Sequence, residues 1–315
     1  MATYRDIHGF KIQNVSSDPP TSVAGDVWYN STSGVLKVNS GTLSGAWATG
    51  GTLNQSPDRT DVGGFGTKTA AICAGASPLS GITESYNGTS WTEVNDMNTG
   101  RTAGSATGTQ TDGILAGGFP GTVTTAETWN GTNWTSISSM NSSKRYNNSA
   151  GISTSAIMFS GYRFPPGALV ETELWNGTNW TEVNDMNVAR YYGVGDGTST
   201  AALSASGDGA DNQTELWNGT NWTSVSNMPS GTQKGAGGGT TTSFFVQGGE
   251  PPPAGSTKTQ FYNGSSWTEG AFTNSAHIEG SGAGSANSDA IVFAGFNKPT
   301  EEFSETGGIR TIDAS

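Results

Sequence analysis

Asp208 and Asp211, in Gly207-Asp208-Gly209-Ala210-Asp211-Asn212, are the carboxylates in this sequence best spaced to act as a pair. Glycoside hydrolysis needs two such groups a few ångströms apart on a sugar cleft. A glycine-flanked acidic stretch also fits a solvated turn, which is the plainer reading, and weak calcium binding is a lesser one. Little other chemistry can be assembled. Cys73 is the single cysteine, set between Ile72 and Ala74, and reads as a small buried residue rather than a nucleophile. The two histidines are His8, near the start, and His277. No Ser-His-Asp set, zinc spacing or P-loop is present. The expectation is a protein that is not an enzyme and needs no metal or cofactor.

Ionic residues recur with a long period. A basic residue stands at Arg59, Arg101, Arg145, Arg190, Lys234 and His277, and a glutamate at Glu84, Glu127, Glu173, Glu215 and Glu302, with Gln260 in the fifth place. These read as structural contacts within or between repeats rather than a ligand-binding ring.

The same period appears in the aromatics. An aromatic-Asn-Gly-(Thr/Ser)-(Asn/Ser)-Trp motif runs Tyr86 to Trp91, Trp129 to Trp134, Trp175 to Trp180, Trp217 to Trp222 and Tyr262 to Trp267, after a worn copy ending at Trp47. The closing tryptophans lie 42 to 46 residues apart, a period of propeller blades or another array. Each repeat reads as four short strands, a to d. Strand a is rich in small residues, as in Gly235 to Gly239, and suits a crowded axis. Strand b is continuously apolar, as in Ile114-Leu115-Ala116 and Phe244-Phe245-Val246, and so covered on both faces. Strands c and d form a hairpin such as Thr172 to Trp175 and Trp180 to Val183, for which Asn-Gly predicts a type I′ turn. Met97, Met140, Met186 and Met228 each follow a motif Trp by six places and read as plugs in the crossover to the next repeat.

After Trp267 the chain supplies strands a, b and c, and no Trp remains for strand d. The copy ending at Trp47 is the natural supplier. The expectation is therefore an all-β, six-bladed propeller over residues 35–315 whose N-terminal strand completes the last blade, preceded by a leader over residues 1–34.

Composition agrees with tight turns and a β-rich chain: 47 glycines in 315 residues, 13% charged residues and 10% aromatics. A net charge of −12 with scattered basic residues argues against a nucleic-acid partner. The longest apolar runs fall well short of the ~20 residues a bilayer span needs, so no membrane insertion is expected. The start lacks the apolar core of a secretory signal, and the many Asn-x-Thr sequons read as turn chemistry.

The glycine pair after strand b (Gly117-Gly118, Gly248-Gly249), the aromatic on strand c and the Trp on strand d resemble kelch-type propellers over about residues 35–305. The pair is incomplete at Gly75-Ala76, Ser160-Gly161 and Gly295-Phe296. Copper-oxidase members of that family use His and Tyr ligands with a Cys–Tyr crosslink, which this chain cannot assemble. The sialidase Asp-box, S-x-D-x-G-x-x-W, is matched only at its tail by Gly177-Thr178-Asn179-Trp180, with Trp175 where the Asp belongs. More closely, the T-E-x-W-N-G-x-x-W units resemble kelch-like repeat proteins of marine bacteriophages. Lys11 to Val15 with Gly25 to Val38 is similar to a segment of phage tail and fibre proteins, and by itself reads as a β-hairpin with a Ser-Gly turn. What the resemblance implies is a virion component, assembled in the host cytoplasm, whose leader docks on neighbouring virion subunits while the propeller faces outward.

A meander places b–c and d–a loops on one face. The b–c loops vary most, and variation on a repeated scaffold is where binding is usually carried. Expected binding residues on that face are Phe119, Tyr162, Arg163, Phe164, Asp208, Asp211, Pro252 and Lys298. Their expected ligand is a host-surface protein or glycan, as for a tail or fibre adhesin. Alternatives are a capsid or tail decoration protein without a receptor, and a glycan-cleaving enzyme.

Overall fold

The structure, a computed structural model, describes residues 12–17, 19, 26–39, 44–55, 58–250, 255–286, 288–296, 299–306 and 309–311. Every regular element among them is a strand. They fall into two compact units. One comprises residues 1–46 with 305–315, and the other residues 47–304. The division thus falls after residue 46 rather than residue 34, and the C-terminal residues join the N-terminal unit.

In the smaller unit Gln13–Val15 lies parallel to Val27–Asn30, which pairs antiparallel with Val35–Asn39. The turn between the last two is Ser31 to Gly34, with Gly34 at φ +71° and the Asn30 Oδ1 accepting from the Thr32 and Ser33 amides. This is the expected hairpin. Ile309–Thr311 adds a fourth strand beside Val35–Asn39.

The larger unit is a repeat of four-stranded antiparallel sheets. Sheet 1 holds Gly63–Thr67, Ala70–Ala76, Ser80–Tyr86 and Trp91–Val94 as strands a to d. Sheets 2 to 5 repeat that order, beginning at Ser105, Asn148, Val194 and Ala236. Sheet 6 takes strands a to c from Ser281–Ala286, Asp289–Phe293 and Glu301–Thr306, and its fourth strand is Ser44–Thr49.

Strand b is buried on both faces, as its unbroken apolarity requires: Ile114, Leu115, Ile157, Phe159, Phe244 and Phe293 are all within 1% of full burial. Six hydrophobic clusters each join two neighbouring sheets, including one between sheets 6 and 1 (Phe293 and Ile291 with Cys73 and Trp91). The motif tryptophans tie the same neighbours together by hydrogen bonds. The indole N–H of Trp134 donates to Thr83 Oγ1 at 3.0 Å, Trp222 to Thr172, Trp267 to Thr214, Trp47 to Thr259 and Trp91 to Thr300. Sheet 2 has Ala126 where its neighbours have that threonine, and there Trp180 donates to the Ser138 carbonyl instead. The four methionines are buried as expected, and Thr273 takes their place in the fifth crossover.

Glycine on the inner strands is a matter of backbone approach. A Cβ on Gly282 would sit 2.6 Å from the Gly237 amide nitrogen of the preceding sheet. At the end of strand b the residue in each sheet is Gly75, Gly117, Ser160, Ser206, Gly248 or Ala294, and all six have positive φ. The left-handed conformation survives at Ser160 and Ser206 where the sequence lacks glycine, and in sheet 6 the equivalent pair is Ala294-Gly295 rather than Gly295-Phe296.

The c–d connection differs from expectation. Trp129 pairs with Trp134 across a four-residue loop, and only Gly131 has positive φ (+88°). A type I′ turn needs positive φ at both central residues. Asn130 instead folds its side chain back, its Oδ1 accepting from the Thr132 and Asn133 amides at 3.0 and 2.8 Å. The same Asx turn recurs at Asn87, Asn176, Asn218 and Asn263.

Candidate binding face

Each sheet is entered through a three-residue step, and the three positions have different jobs. The first is a buried anchor: Arg59, Arg101, Lys144, Arg190 or His277, with Thr232 in the fifth sheet. Arg190 Nη2 meets Glu215 Oε1 at 2.7 Å with neither side chain exposed. The same carboxylate accepts from the Asn187 amide at 2.8 Å, from Asn187 Nδ2 at 2.7 Å and from the Val188 amide at 3.2 Å. Glu84, Glu127, Glu173 and Glu301 repeat this pattern. These pairs are structural, as expected, but three assignments need correction. Lys144, not Arg145, meets Glu173 in sheet 3. Glu301, not Glu302, is the acceptor in sheet 6, because the glutamate lies two places before the strand-c aromatic, as Glu84 does before Tyr86. Glu302 instead accepts the Tyr86 hydroxyl. In the fifth sheet Lys234 pairs with Glu279 and Glu250, while Gln260 receives the Ser230 amide.

The third position is Asp61, Ala103, Tyr146, Tyr192, Lys234 or Glu279, every one at φ between +54° and +60°. Each amide in this set donates to the carbonyl of the preceding sheet's equivalent, and the Asp61 amide donates to Glu279, at 2.7–3.2 Å throughout. The side chains gather around one small cavity. Lys234 Nζ lies 2.8 Å from Glu279 and 5.1 Å above the Tyr192 ring. Burial and the nearby Glu279 carboxylate push Asp61 up to about 7, against the pull of Lys234 and Arg145.

The second position carries the site. Its residue bridges to the first residue of the b–c loop in its own sheet: Thr102 to Phe119, Arg145 to Tyr162, Tyr191 to Asp208, Gln233 to Glu250. Equivalent positions of four successive sheets thus line up as one strip. The Arg145 guanidinium carbon lies 5.9, 5.2 and 5.3 Å from the ring centroids of Phe119, Tyr146 and Tyr162. Tyr162 and Tyr191 are 5.0 Å apart, and Tyr146 and Tyr192 stack at 4.0 Å. The Tyr191 hydroxyl donates to Asp208 Oδ2 at 2.5 Å, which pushes that phenol up to about 12. Asp208 then opens onto a cleft of about 530 Å³ lined by Asp211, Asn212, Thr232, Gln233 and Glu250.

The sequence-expected residues divide accordingly. Phe119, Tyr162 and Asp208 share the strip, and Asp211 lines its cleft. Arg163 is turned aside, its guanidinium forked onto the two Glu171 carboxylate oxygens and the Ser143 carbonyl. Phe164 stands 80% exposed in the connection between Tyr162–Arg163 and Gly167–Ala168. Pro252 and Lys298, like His8, lie outside the described residues. Among the described residues no cluster of three His, Cys, Asp or Glu side chains could hold a metal ion. Tyr146, Tyr191 and Tyr192 were not anticipated, and Arg145 was given a structural role. Their signal was present, since Arg-Tyr and Tyr-Tyr stand where other sheets have Thr-Asp, Thr-Ala, Gln-Lys or Ile-Glu.

The solved structure titled "Structure of YjhT" is similar to 83% of this chain and 99% of its own, with a TM-score of 0.64. The fold is propeller-like. At 9% identity that likeness extends to the fold alone. No family model and no curated protein matches the sequence.

Proposed function

We propose that this protein is a non-enzymatic phage virion component, a closed six-bladed kelch-like propeller acting as a tail or fibre adhesin for the host surface. Closure is supported by Ser44–Thr49 standing fourth in the last sheet, by six inter-sheet clusters for six sheets, and by the amide circuit from Asp61 back to Glu279. An open stack of six sheets has five interfaces. The likeness of the leader and of the repeats to phage proteins supports the virion assignment, with the leader docking on neighbouring subunits.

The observation that carries the binding role is the strip from Phe119 to Glu250. At the anchor position five of the six sheets consume a cation and a carboxylate in a buried pair. Here the repeat leaves tyrosines, a guanidinium and the carboxylates of Asp208 and Asp211 outside any ion pair on one face. Aromatics with arginine are the composition of recognition surfaces. Asp208 is engaged by Tyr191 and stands in a binding role rather than as half of a catalytic pair.

Binding of the fluorescently labelled protein to host cells tests the reading. Saturable binding is expected, with loss of at least tenfold when Arg145, Tyr162 and Phe164 all become Ala and the melting temperature is retained. Labelling around the capsid without cell binding would replace adhesion with decoration. Sugar release abolished by Asp208→Asn would make the protein an enzyme.

A further inference from the structure

The unpaired guanidinium of Arg145 narrows the ligand. Arg59, Arg101, Arg163 and Arg190 each have a carboxylate within 3 Å. Arg145 has none, and its Nε is buried without any acceptor. Three rings surround its guanidinium carbon at 5.2–5.9 Å, contacts that favour the cation without accepting from its N–H groups. A guanidinium so prepared matches the two oxygens of a carboxylate.

The rest of the strip is chemically different. Tyr162 and Tyr191, half-buried and tilted against each other at 5.0 Å, supply aromatic surface suited to the C–H groups of a pyranose. Beyond the Tyr191–Asp208 hydrogen bond, the cleft is lined by Asp211, by Glu250, which Lys234 and Gln233 approach only at 3.5 Å, and by Asn212, whose amide oxygen is left to accept while its Nδ2 donates to the Met228 carbonyl. Vicinal sugar hydroxyls are both donors and acceptors, and such a lining satisfies them in pairs. Resting on the adhesin reading, the geometry points to an acidic oligosaccharide bound in two subsites. A sugar carboxylate meets Arg145 between Phe119 and Tyr162, and a neighbouring neutral sugar occupies the cleft of Asp208, Asp211 and Gln233. A nucleic acid is disfavoured by a single guanidinium facing three carboxylates.

The full-length protein is titrated calorimetrically with three probes that each join an acidic sugar to a neutral one: sialyllactose, a hyaluronan tetramer and an aldotetrauronic acid. Each is paired with its methyl-esterified form. At least one acidic probe is expected to saturate, with esterification weakening it at least tenfold. Arg145→Gln should produce a similar loss at unchanged melting temperature, and Arg145→Lys should restore part of the binding but not the preference for a bidentate acid. Asp211→Asn should weaken the occupied oligosaccharide at least threefold while leaving the corresponding single acidic sugar unaffected. The inference is overturned if none of the acidic probes binds, if ester and acid bind equally, or if Arg145→Gln binds as the native protein does. Should cell binding persist and be abolished by protease treatment of the cells, the partner is a peptide. The adhesin reading would then stand and this one would fall.

Discussion

Replacing Glu215 by Gln tests what holds each sheet to its crossover. The carboxylate satisfies four donors at once: the Arg190 guanidinium, two backbone amides and the Asn187 side chain. Glutamine keeps one acceptor oxygen and turns an amide N–H₂ toward the remaining donors. It also leaves Arg190 charged and buried, and an arginine cannot shed its proton to escape. Removing one partner of a buried ion pair costs about 3–5 kcal/mol. At ~2–4 °C per kcal/mol for a domain of this size, the melting temperature should fall by roughly 6–20 °C. The fifth sheet supplies the control, since Thr232 and Gln260 stand there in place of the charged pair. Arg190→Thr combined with Glu215→Gln should therefore recover a substantial part of the loss, and the double-mutant cycle should give a coupling above ~1 kcal/mol. Glu173→Gln should cost less than Glu215→Gln, because burial already pushes its partner Lys144 down and the lysine can give up its charge. Differential scanning calorimetry on these variants, with Arg190→Thr alone to complete the cycle, decides it. A Glu215→Gln protein melting within 1 °C of the native one, or no coupling in the cycle, would refute the reasoning.

Three further outcomes follow from other parts of the unit. Asp61, pushed up to about 7 from 3.8, holds a proton in the folded state that the unfolded chain releases. Its contribution is full below about pH 4 and falls as pH rises to 7, so Asp61→Asn should flatten that slope in chemical denaturation and raise stability at pH 8. Burial pushes the Cys73 thiol up to about 11, so a thiol reagent at pH 7.5 should label it only in denaturant; prompt labelling of the native protein would place the residue at an opening surface. Trp222→Phe removes the indole bond to Thr172 and part of a packed cluster between sheets 3 and 4. A loss of about 2–3 kcal/mol is expected in urea unfolding, and a loss under ~0.5 kcal/mol would deny the indole its inter-sheet role.

The repeat was readable in the sequence because its signals are local. A run such as Ile157-Met158-Phe159 can only be a strand covered on both faces, and the six-residue step from Trp to Met fixes the plug. The spare Trp47 likewise told where the fourth strand of the last sheet comes from. The misreadings arose where one residue's shift changes a side chain's job. Lys144 and Arg145 are adjacent cations, and only the strand register shows that the first is buried while the second is not. The Asn-Gly pairs were taken for two-residue turns because the following two residues, which the Asn side chain caps, are also polar and uncommitted. The strip was hidden for a different reason. Its equivalent positions are about forty residues apart in the chain and meet only through the lateral spacing of the sheets.

The three-step entry into each sheet explains how one scaffold can be both rigid and adaptable. The first position is bound to a carboxylate hub and tolerates little beyond a cation or its neutral substitute. The third position must adopt a left-handed backbone, which costs a non-glycine residue of order 1 kcal/mol. All six sheets nonetheless carry a residue other than glycine there, with the amide circuit among neighbouring sheets holding the conformation. Because the backbone is fixed by that circuit, the side chain is free to be Asp, Ala, Tyr, Lys or Glu. In sheets 2 to 5 the second position is fixed in the same way, by its bridge to the b–c loop. Chemistry can therefore change from sheet to sheet at these two positions without disturbing the anchor between strands, and that freedom is spent on tyrosines and Arg145 in sheets 3 and 4. A surface of this origin is a preorganised one: its rings and its fork are held before any ligand arrives, so little ordering remains to be done on binding.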